Sequence, residues 1–466
     1  MGVSTKHAEY QAMAATWRKC RDCAAGQKAV HAAAETYLAK LKDQTKEDYA
    51  AYVARATFYN AFWRTVAGMK GLLFRDDPQI AVPSVAEPML ADVTMGGVPL
   101  ATFGQMLADE VMTTGRVGVL ADYPATPIGT TLADAKQMNL RPTLALYKAE
   151  SIINWRMGRI NNQHVVTMVV LEEQHTEQAA DDEFGTVGET RYRVLDLAEG
   201  KYRVRVFRVN DKGEDEQIEP DMFPLMGNQT MGFIPFVFLG PDDTTPTVYD
   251  PPLIDLADMN LSHYRTTADL EHGAHFTGLP TPIVSGYTPE KEGEKLYIGS
   301  TAAWVFPDPQ AKVTYLEFTG QGLGALERLL DRKEQQMAVL GARMLEAQKR
   351  AVESAESAAI HRKGEESILS GVASVLSQGM TRVLEWFAAF AGAAGEVKFE
   401  INKDFLPVGM TPQMLTALVQ SWQGGAISSQ ALFENLKAGQ FYEPDATFEE
   451  EEARIKSGGP VGVGVV

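Results

Sequence analysis

The stretch PLIDLADMNLSHYRTTADLEHGAHF, residues 252–276, decides the fold because it predicts one long helix with a continuous apolar stripe. Proline precedes it at 251 and 252 and follows it at 280 and 282, which bounds the helix on both sides. At 1.5 Å per residue, a helix from Leu253 to Phe276 is about 35 Å long. Its stripe consists of Leu253, Ala257, Leu261, Tyr264 and Ala268. A face of that length must be covered by other parts of a protein.

A second long helix is predicted from about Gly322 to Leu345, with an a/d-type apolar repeat that Lys333 interrupts. Between the two helices, residues 279–319 contain three short β-rich runs, at 281–285, 302–306 and 313–318. About 40 residues are too few to bury an independent core without disulfides or metal. We therefore expect this segment to complete its sheet with another chain by strand addition. The helices should pack laterally in a ring or bundle, because each covers the stripe of the other only in part.

The flanking regions predict an α+β fold. Residues 1–75 have a helical pattern, and a helix at 100–114 ends at Gly115 and leads into a short buried strand. From 140 to 240 the apolar period changes from 3.6 to 2, which predicts an antiparallel sheet with solvated acidic hairpin ends at 181–183 and 213–216.

Downstream of the second helix the chain returns to helical patterns. A very long, bent helix is predicted from about Ser354 to Ala391, nominally near 55 Å, with Gly364, Gly371 and Gly379 as bend points. A strand at 397–401 and two short helices, at 411–422 and 428–436, follow it.

Composition excludes several classes of function. The 466 residues carry a formal net charge of −18, whereas domains that hold nucleic acid usually have a basic excess. The only cysteines, Cys20 and Cys23, form a C-x-x-C pair with no second pair to complete a zinc site, so we interpret them as reduced helix residues. The longest apolar run, 386–395, is about half of what spans a bilayer, and the N-terminus is polar. These features predict a soluble protein made in a reducing cytoplasm, with no membrane contact and no cofactor.

Motifs of known enzymes are missing from the sequence. There is no G-x-x-x-x-G-K-[ST] stretch and no G-x-S-x-G elbow, so we expect neither a P-loop ATPase nor any other enzyme. His272 and His275 have helical i, i+3 spacing, but without an H-E-x-x-H order we favour polar channel-facing or inter-subunit residues over a metal site. The two tail helices favour a simple αα-hairpin over a helix-turn-helix, since the second has no basic residue before Lys437.

The order of these elements resembles a tailed-bacteriophage portal protein. Pro252-Leu253-Ile254-Asp255, followed by Asn260, is similar to the "P-L-I-D-x-x-x-x-N" stretch that opens the first stem helix of portals. Three further matches occur in the expected order: Ile234-Pro235-Phe236-Val237, Glu353-Ser354-Ala355-Glu356-Ser357-Ala358 and Gly425-Ala426-Ile427-Ser428. The resemblance covers about residues 50–455 and is to a branch catalogued only as a domain of unknown function.

The resemblance implies a role for each segment. Residues 1–250 form a wing with an antiparallel sheet, to which the long helix and strand at 354–405 are added. Two stem helices, 251–278 and 320–345, line a channel and carry a small β-rich clip, 279–319. Residues 346–353 are a tunnel loop, and 406–466 are a short helical crown and tail.

The resemblance further implies a ring of twelve copies at one capsid vertex, a channel for double-stranded DNA in packaging and ejection. The expected partners are the terminase, a neck or adaptor protein and the major capsid protein. Twelve copies carry a charge of about −216, which repels phosphate and lets DNA slide. Lys349 and Arg350 in the loop, with Lys333 and Arg332 on the second stem helix, are the candidate basic rings facing DNA; solvated surface charges are the alternative. The alternative function is another oligomeric virion protein, a minor capsid or adaptor component, in which the helices serve packing alone.

Overall fold

The computed structural model describes residues 2–124, 134, 137–160, 162–179, 182–227, 229–278, 281–285, 306, 310–316, 322–342, 367–403, 418–422, 426–438 and 447–452. The chain divides into two compact units, residues 1–402 and 403–466. Helices and antiparallel strands are mixed in the first unit, which confirms the α+β prediction.

The principal helices of the described chain are α1 (Ala8–Ala25), α2 (Gln27–Ala32), α3 (Lys46–Arg55), α4 (Ala61–Leu73), α5 (Leu100–Thr114), α6 (Ile254–Gly278), α7 (Leu323–Ala342), α8 (Ile368–Phe390) and α9 (Ser429–Ala438). The strands are β1 (Gln79–Ala81), β2 (Val117–Asp122), β3 (Thr143–Lys148), β4 (Ile152–Ile160), β5 (Gln163–Gln178), β6 (Thr186–Ala198), β7 (Lys201–Val209), β8 (Asp215–Gln217), β9 (Leu225–Met226), β10 (Gln229–Thr230), β11 (Phe236–Leu239), β12 (Thr281–Ser285), β13 (Lys312–Leu316) and β14 (Lys398–Glu400).

The N-terminal helices form where the sequence predicts them. In α4 the apolar side chains of Phe62, Val66, Met69 and Leu73 are buried, whereas Trp63 is 39% exposed, and the Asn60 side chain caps the helix by accepting the Trp63 N–H at 2.9 Å. Helix α5 ends at Gly115, whose φ of 70° lies in the left-handed region that glycine adopts without a Cβ clash. The glycine stop predicted from the sequence is therefore confirmed.

The strands between residues 117 and 239 form two main antiparallel sheets rather than one. One has five strands in the order β4-β5-β6-β7-β8, and the other has three in the order β11-β2-β3. β2 is the central strand of the three-stranded sheet, with a strand on each side, and it is buried along almost its whole length. Strands β3 and β11, both within the predicted sheet region at 140–240, supply those neighbours and do not extend the five-stranded sheet.

The two faces of β7 differ as its alternating sequence predicts. Val204 and Val206 are buried, whereas Arg203 and Arg205 both donate to the carboxylate of Asp196 on β6. Alternation of period 2 therefore places the apolar side chains in the core and a cross-strand ion pair on the other face.

A buried arginine, which the sequence did not single out, joins the two sheets. The Arg116 guanidinium lies between the ring of Trp155 on β4, at 4.1 Å, and the ring of Phe238 on β11, at 4.8 Å. Its Nη1 donates to the carbonyl of Pro246 at 2.6 Å. Burial without a paired carboxylate lowers the pKa of Arg116 to about 9.

Helix α8 is shorter than predicted and packs against the three-stranded sheet. It begins at Ile368 because Ser367 has an extended backbone and its side chain accepts the Ser370 N–H at 3.2 Å. The predicted helix from Ser354 therefore does not run unbroken to Ala391: the described part measures about 35 Å, not 55 Å. Gly379 is a close-approach site, since a Cβ there would lie 2.1 Å from Leu239 Cδ2. After α8, β14 pairs with β1 and confirms the predicted strand.

The second unit contains α9, which corresponds to the helix predicted at 428–436. The Ser428 hydroxyl caps it by accepting the Ala431 N–H at 3.1 Å. Only residues 418–422 of the helix predicted at 411–422 are described, and they are helical.

Candidate functional site at the long helix pair

The long helices α6 and α7 pack against each other as an antiparallel pair. Contacts run in opposite directions along the two helices: His263 meets Glu334 near the body, whereas Gly273 meets Leu323 ten residues further on. A Cβ on Gly273 would lie 2.7 Å from Leu323 Cδ2, so glycine there permits the close approach of the second helix. With 25 and 20 residues, the helices are about 37 Å and 30 Å long.

The first half of α6 is anchored in the body by the predicted apolar stripe. All five stripe residues are at most 2% exposed: Leu253, Ala257, Leu261, Tyr264 and Ala268. This burial confirms the predicted apolar stripe of the helix over residues 252–268.

Asn260 is the polar residue of this buried face, and its contacts explain why an amide is needed there. It is 0% exposed; its Nδ2 donates to the Tyr59 carbonyl at 2.7 Å, and its Oδ1 accepts the Phe62 N–H at 3.1 Å. The Phe62 N–H lies in the first turn of α4, where no helical carbonyl can accept it. Asn260 therefore fixes the start of α4 on α6, a role that the sequence analysis missed.

The second half of the pair leaves the body. Beyond Ala268 no residue of α6 is buried, and α7 buries only Met337 and Gly341. Large apolar side chains remain exposed on this part, Phe276 at 52% and Leu329 at 40%, and Val339, nearer the body on α7, is 52% exposed. The prediction that each helix covers the other only in part is thus confirmed for the protomer.

Lys333, the residue that interrupts the heptad of α7, lies between the two helices. Its Nζ donates to the Ser262 carbonyl at 2.9 Å and to the Thr266 hydroxyl at 2.6 Å on α6. Burial, helped by the nearby Arg265, lowers the pKa of Lys333 below its usual value. The ammonium is therefore held by α6 of the same chain.

His263 lies beside Lys333 and is 5% exposed. Its Nε2 is 3.4 Å from a Glu334 carboxylate oxygen, and its Nδ1 is 3.4 Å from the Thr267 hydroxyl. Burial lowers the pKa of His263, and the Glu334 carboxylate only partly offsets that effect. The interface of the helix pair thus contains two basic groups whose charged forms are disfavoured by burial.

A two-stranded antiparallel hairpin lies between the two helices in the chain. β12 pairs with β13 in the register Ile283↔Thr314 and Val284↔Val313. Ile283 and Val313 are 43% and 42% exposed. The strands predicted at 281–285 and 313–318 are confirmed over 281–285 and 312–316; of the third, predicted at 302–306, only Phe306 is described.

Two of the four candidate DNA-facing residues lie among the described residues, and two do not. Arg332 is exposed on α7, and its orientation toward a channel stays a prediction, as does that of Lys333. Lys349 and Arg350 lie outside the described residues, as does the whole proposed loop at 346–353.

The other candidate sites have no metal-binding geometry in the described residues. His272 contacts the rings of Tyr52 and Phe276, and His275 contacts the ring of Phe276. No group of three His, Cys, Asp or Glu side chains suited to a metal ion occurs in the described ranges. Cys20 and Cys23 are free thiols, both 0% exposed, on the side of α1 that meets α6. Among the described helices, none is both long and apolar enough to cross a membrane.

Comparison with known proteins gives a family match at this helix pair. Residues 252–391 match DUF4055, a domain of unknown function. The match confirms the resemblance to a branch catalogued in that way, on the segment that carries its strongest motif. No curated protein matches the chain.

Solved structures of gene transfer agent particles are also similar to the chain. The virion of a native gene transfer agent particle matches with 12% identity and a TM-score of 0.39, covering 88% of this chain and 98% of the other. The neck of an empty particle, computed with C6 symmetry, matches with 12% identity and a TM-score of 0.39 over 82% and 90%. The neck of a native particle, computed with C12 symmetry, matches with 11% identity and a TM-score of 0.38 over 84% and 94%.

Proposed function

We propose that this chain is a structural protein of a phage-like virion neck, and that copies of it form a ring with a central channel for double-stranded DNA. The observation that carries the proposal is the helix pair. Its outer half has no buried residue of α6, Phe276 and Leu329 are each at least 40% exposed there, and a hairpin with exposed apolar residues continues it. Burying such surface is favourable by about 25 cal/mol per Å², so identical neighbours side by side stabilise the projection.

The proposed ring places the segments as the resemblance implies. Residues 251–278 and 320–345 line the channel as stem helices, 279–319 are the clip, 346–353 the tunnel loop and 406–466 the crown. The body, 1–250 with 354–405, is the wing. Among the described residues of the clip, β12 and β13 pair only with each other, and in the proposed ring strands of the adjacent copy satisfy the backbone groups that this two-stranded ribbon leaves unpaired.

The negative net charge favours a channel through which DNA slides, rather than a protein that binds DNA tightly. Each phosphate held by a Lys or Arg adds to a salt-dependent grip on DNA, whereas a lining with acidic excess lets the duplex slide. Within that lining, Arg332, Lys349 and Arg350 are the proposed basic rings. Lys333 is the least suited of the four, because α6 already binds its ammonium.

The proposal includes twelve copies at one capsid vertex, with the terminase, a neck or adaptor protein and the major capsid protein as partners. It assigns the chain no catalytic reaction and no cofactor. It places the protein in the virion after synthesis in the host cytoplasm.

Negative-stain images of the purified protein test the proposal. The expected result is a ring of about twelve subunits with a central hole. Single copies or filaments at micromolar concentration contradict it. A compact oligomer without a hole supports the second candidate, a minor capsid or adaptor component that uses the helices for packing alone.

A further inference from the structure

The five-stranded sheet has two ends of different composition. Because its strands are antiparallel and in sequence order, the β5–β6 and β7–β8 turns lie at one end, and the β4–β5 and β6–β7 turns lie at the other. Strand β5 has 16 residues and joins the two ends, which therefore lie about 50 Å apart.

One end carries a two-stranded ribbon that no third strand of the described residues extends. The pairs from Gln174↔Thr190 to Gln178↔Thr186 join only β5 and β6, because β4 pairs with β5 no further than Leu171 and β7 pairs with β6 from Arg191 onward. We call residues 174–190 the arm. A two-stranded ribbon is marginally stable in water by itself, so the arm gains from a surface to pack on.

The tip of the arm is both apolar and acidic. Phe184 is 90% exposed, and Val187, on the adjoining strand, is 60% exposed. From residue 174 to residue 190 the sequence contains no Lys or Arg. Of the described carboxylates in this range, Glu177 is paired with Arg191 and His175, and Glu189 is paired with Arg191 and Arg208, whereas Asp182 and Glu183 are exposed at the tip.

The opposite end of the sheet is basic and also has an apolar contact. Arg156 and Arg159 are exposed near the β4–β5 turn, and Met157 between them is 43% exposed. No carboxylate of the described residues forms an ion pair with either arginine. At the neighbouring β6–β7 turn, Lys201 adds a positive charge and Glu199 a negative one.

We propose that the arm of one copy docks on the β4–β5 end of the next copy. Phe184 packs on Met157, and Asp182 and Glu183 face Arg156 and Arg159. In the proposed ring the contact is head to tail, since each copy gives its arm to one neighbour and receives the arm of the other; a reciprocal twofold pair would instead give only dimers. The inference rests on the proposed ring, in which one such contact repeats between every pair of neighbours.

Disulfide trapping in the full-length chain tests the contact directly. A chain with both Glu183→Cys and Arg159→Cys should give, on mild oxidation, a ladder of covalent multimers on a non-reducing gel. The native Cys20 and Cys23 are 0% exposed and do not interfere. Each single variant should stop at a small background of dimers, and Asp242→Cys with Arg159→Cys, a pair with one exposed position outside the arm, should give no ladder.

Charge exchange supplies a second readout that does not depend on cysteines. Glu183→Arg should weaken assembly about tenfold by opposing two arginines, and Glu183→Arg combined with Arg159→Glu should restore most of the loss. If Glu183→Arg and Arg159→Glu each weaken assembly and the double variant does not restore it, the pairing of Glu183 with Arg159 is wrong.

The outcomes separate the inference from the proposed function. Rings in the electron microscope without a covalent ladder overturn the docking of the arm and leave the ring intact. A ladder of open chains without rings keeps the contact and overturns the channel. Single copies without a ladder overturn both.

Discussion

Replacement of Asn260 by leucine tests how the first long helix is held in the body. The side chain is fully buried and satisfies the Phe62 N–H, while its amide donates to the Tyr59 carbonyl. Leucine has a similar volume but neither a donor nor an acceptor. The Tyr59 carbonyl keeps a second partner, the Ala61 N–H at 2.8 Å, whereas the Phe62 N–H loses the acceptor that Asn260 supplies.

The magnitude follows from these contacts. One buried N–H left unsatisfied costs about 1–3 kcal/mol, and the lost bond to Tyr59 adds about 1 kcal/mol. The expected loss in the free energy of unfolding is therefore about 2–4 kcal/mol. Asn260→Asp retains the acceptor but places a carboxylate against the Tyr59 carbonyl, so we expect it to be at least as destabilising.

Urea unfolding gives the total loss, and hydrogen exchange of peptides covering residues 59–63 shows where it arises. The control is Asp258→Asn, two residues away, which removes only a partly exposed ion pair with Lys19 and should cost less than about 1 kcal/mol. If Asn260→Leu unfolds like the control and the 59–63 amides keep their protection, the anchoring role of Asn260 is wrong.

Three further predictions concern the loop, the hairpin and pH. Lys349→Glu with Arg350→Glu should leave rings intact and reduce packaged DNA, measured per particle; normal DNA content removes the loop from the mechanism. Deleting residues 285–315 should spare the body, judged by circular dichroism, and abolish docking to the neck protein in a pull-down; unchanged docking refutes the clip assignment. Because burial lowers the folded-state pKa of His263, its contribution to stability is present above about pH 6.5 and is lost as pH falls through the folded pKa. His263→Gln should therefore flatten the loss of melting temperature between pH 7 and pH 5, while the exposed His164→Gln should not, and equal slopes for both variants contradict the assignment.

Periodicity predicted most of the elements, because long helices and alternating strands repeat their apolar residues at fixed intervals. The stripe from Leu253 to Ala268 is buried as expected, and Gly115 ends its helix as its conformational freedom predicts. The start of the long helix that ends near Ala391 was predicted wrongly, at about Ser354 instead of Ile368. The sequence through residue 367 keeps helical composition, whereas the start at Ile368 depends on one serine cap.

Contacts between distant segments were beyond the sequence. Arg116 is adjacent to a buried strand, but nothing local shows that Trp155 and Phe238 lie on its two sides. For Lys333 the sequence offered a channel residue or a solvated surface charge, and it did not show the contact with α6, because the two acceptors are 67 and 71 residues away in the chain. For Asn260 a signal did exist: a polar amide in an otherwise apolar stripe needs partners.

A map of the assembled particle at the resolution of helices tests the central claim most directly. The account predicts this chain at a single vertex as a closed ring, with α6 and α7 of every copy around an open bore and the β12–β13 hairpins at one mouth of it. A map that shows the chain as isolated copies, or as a ring whose helix pairs point away from the bore, contradicts it.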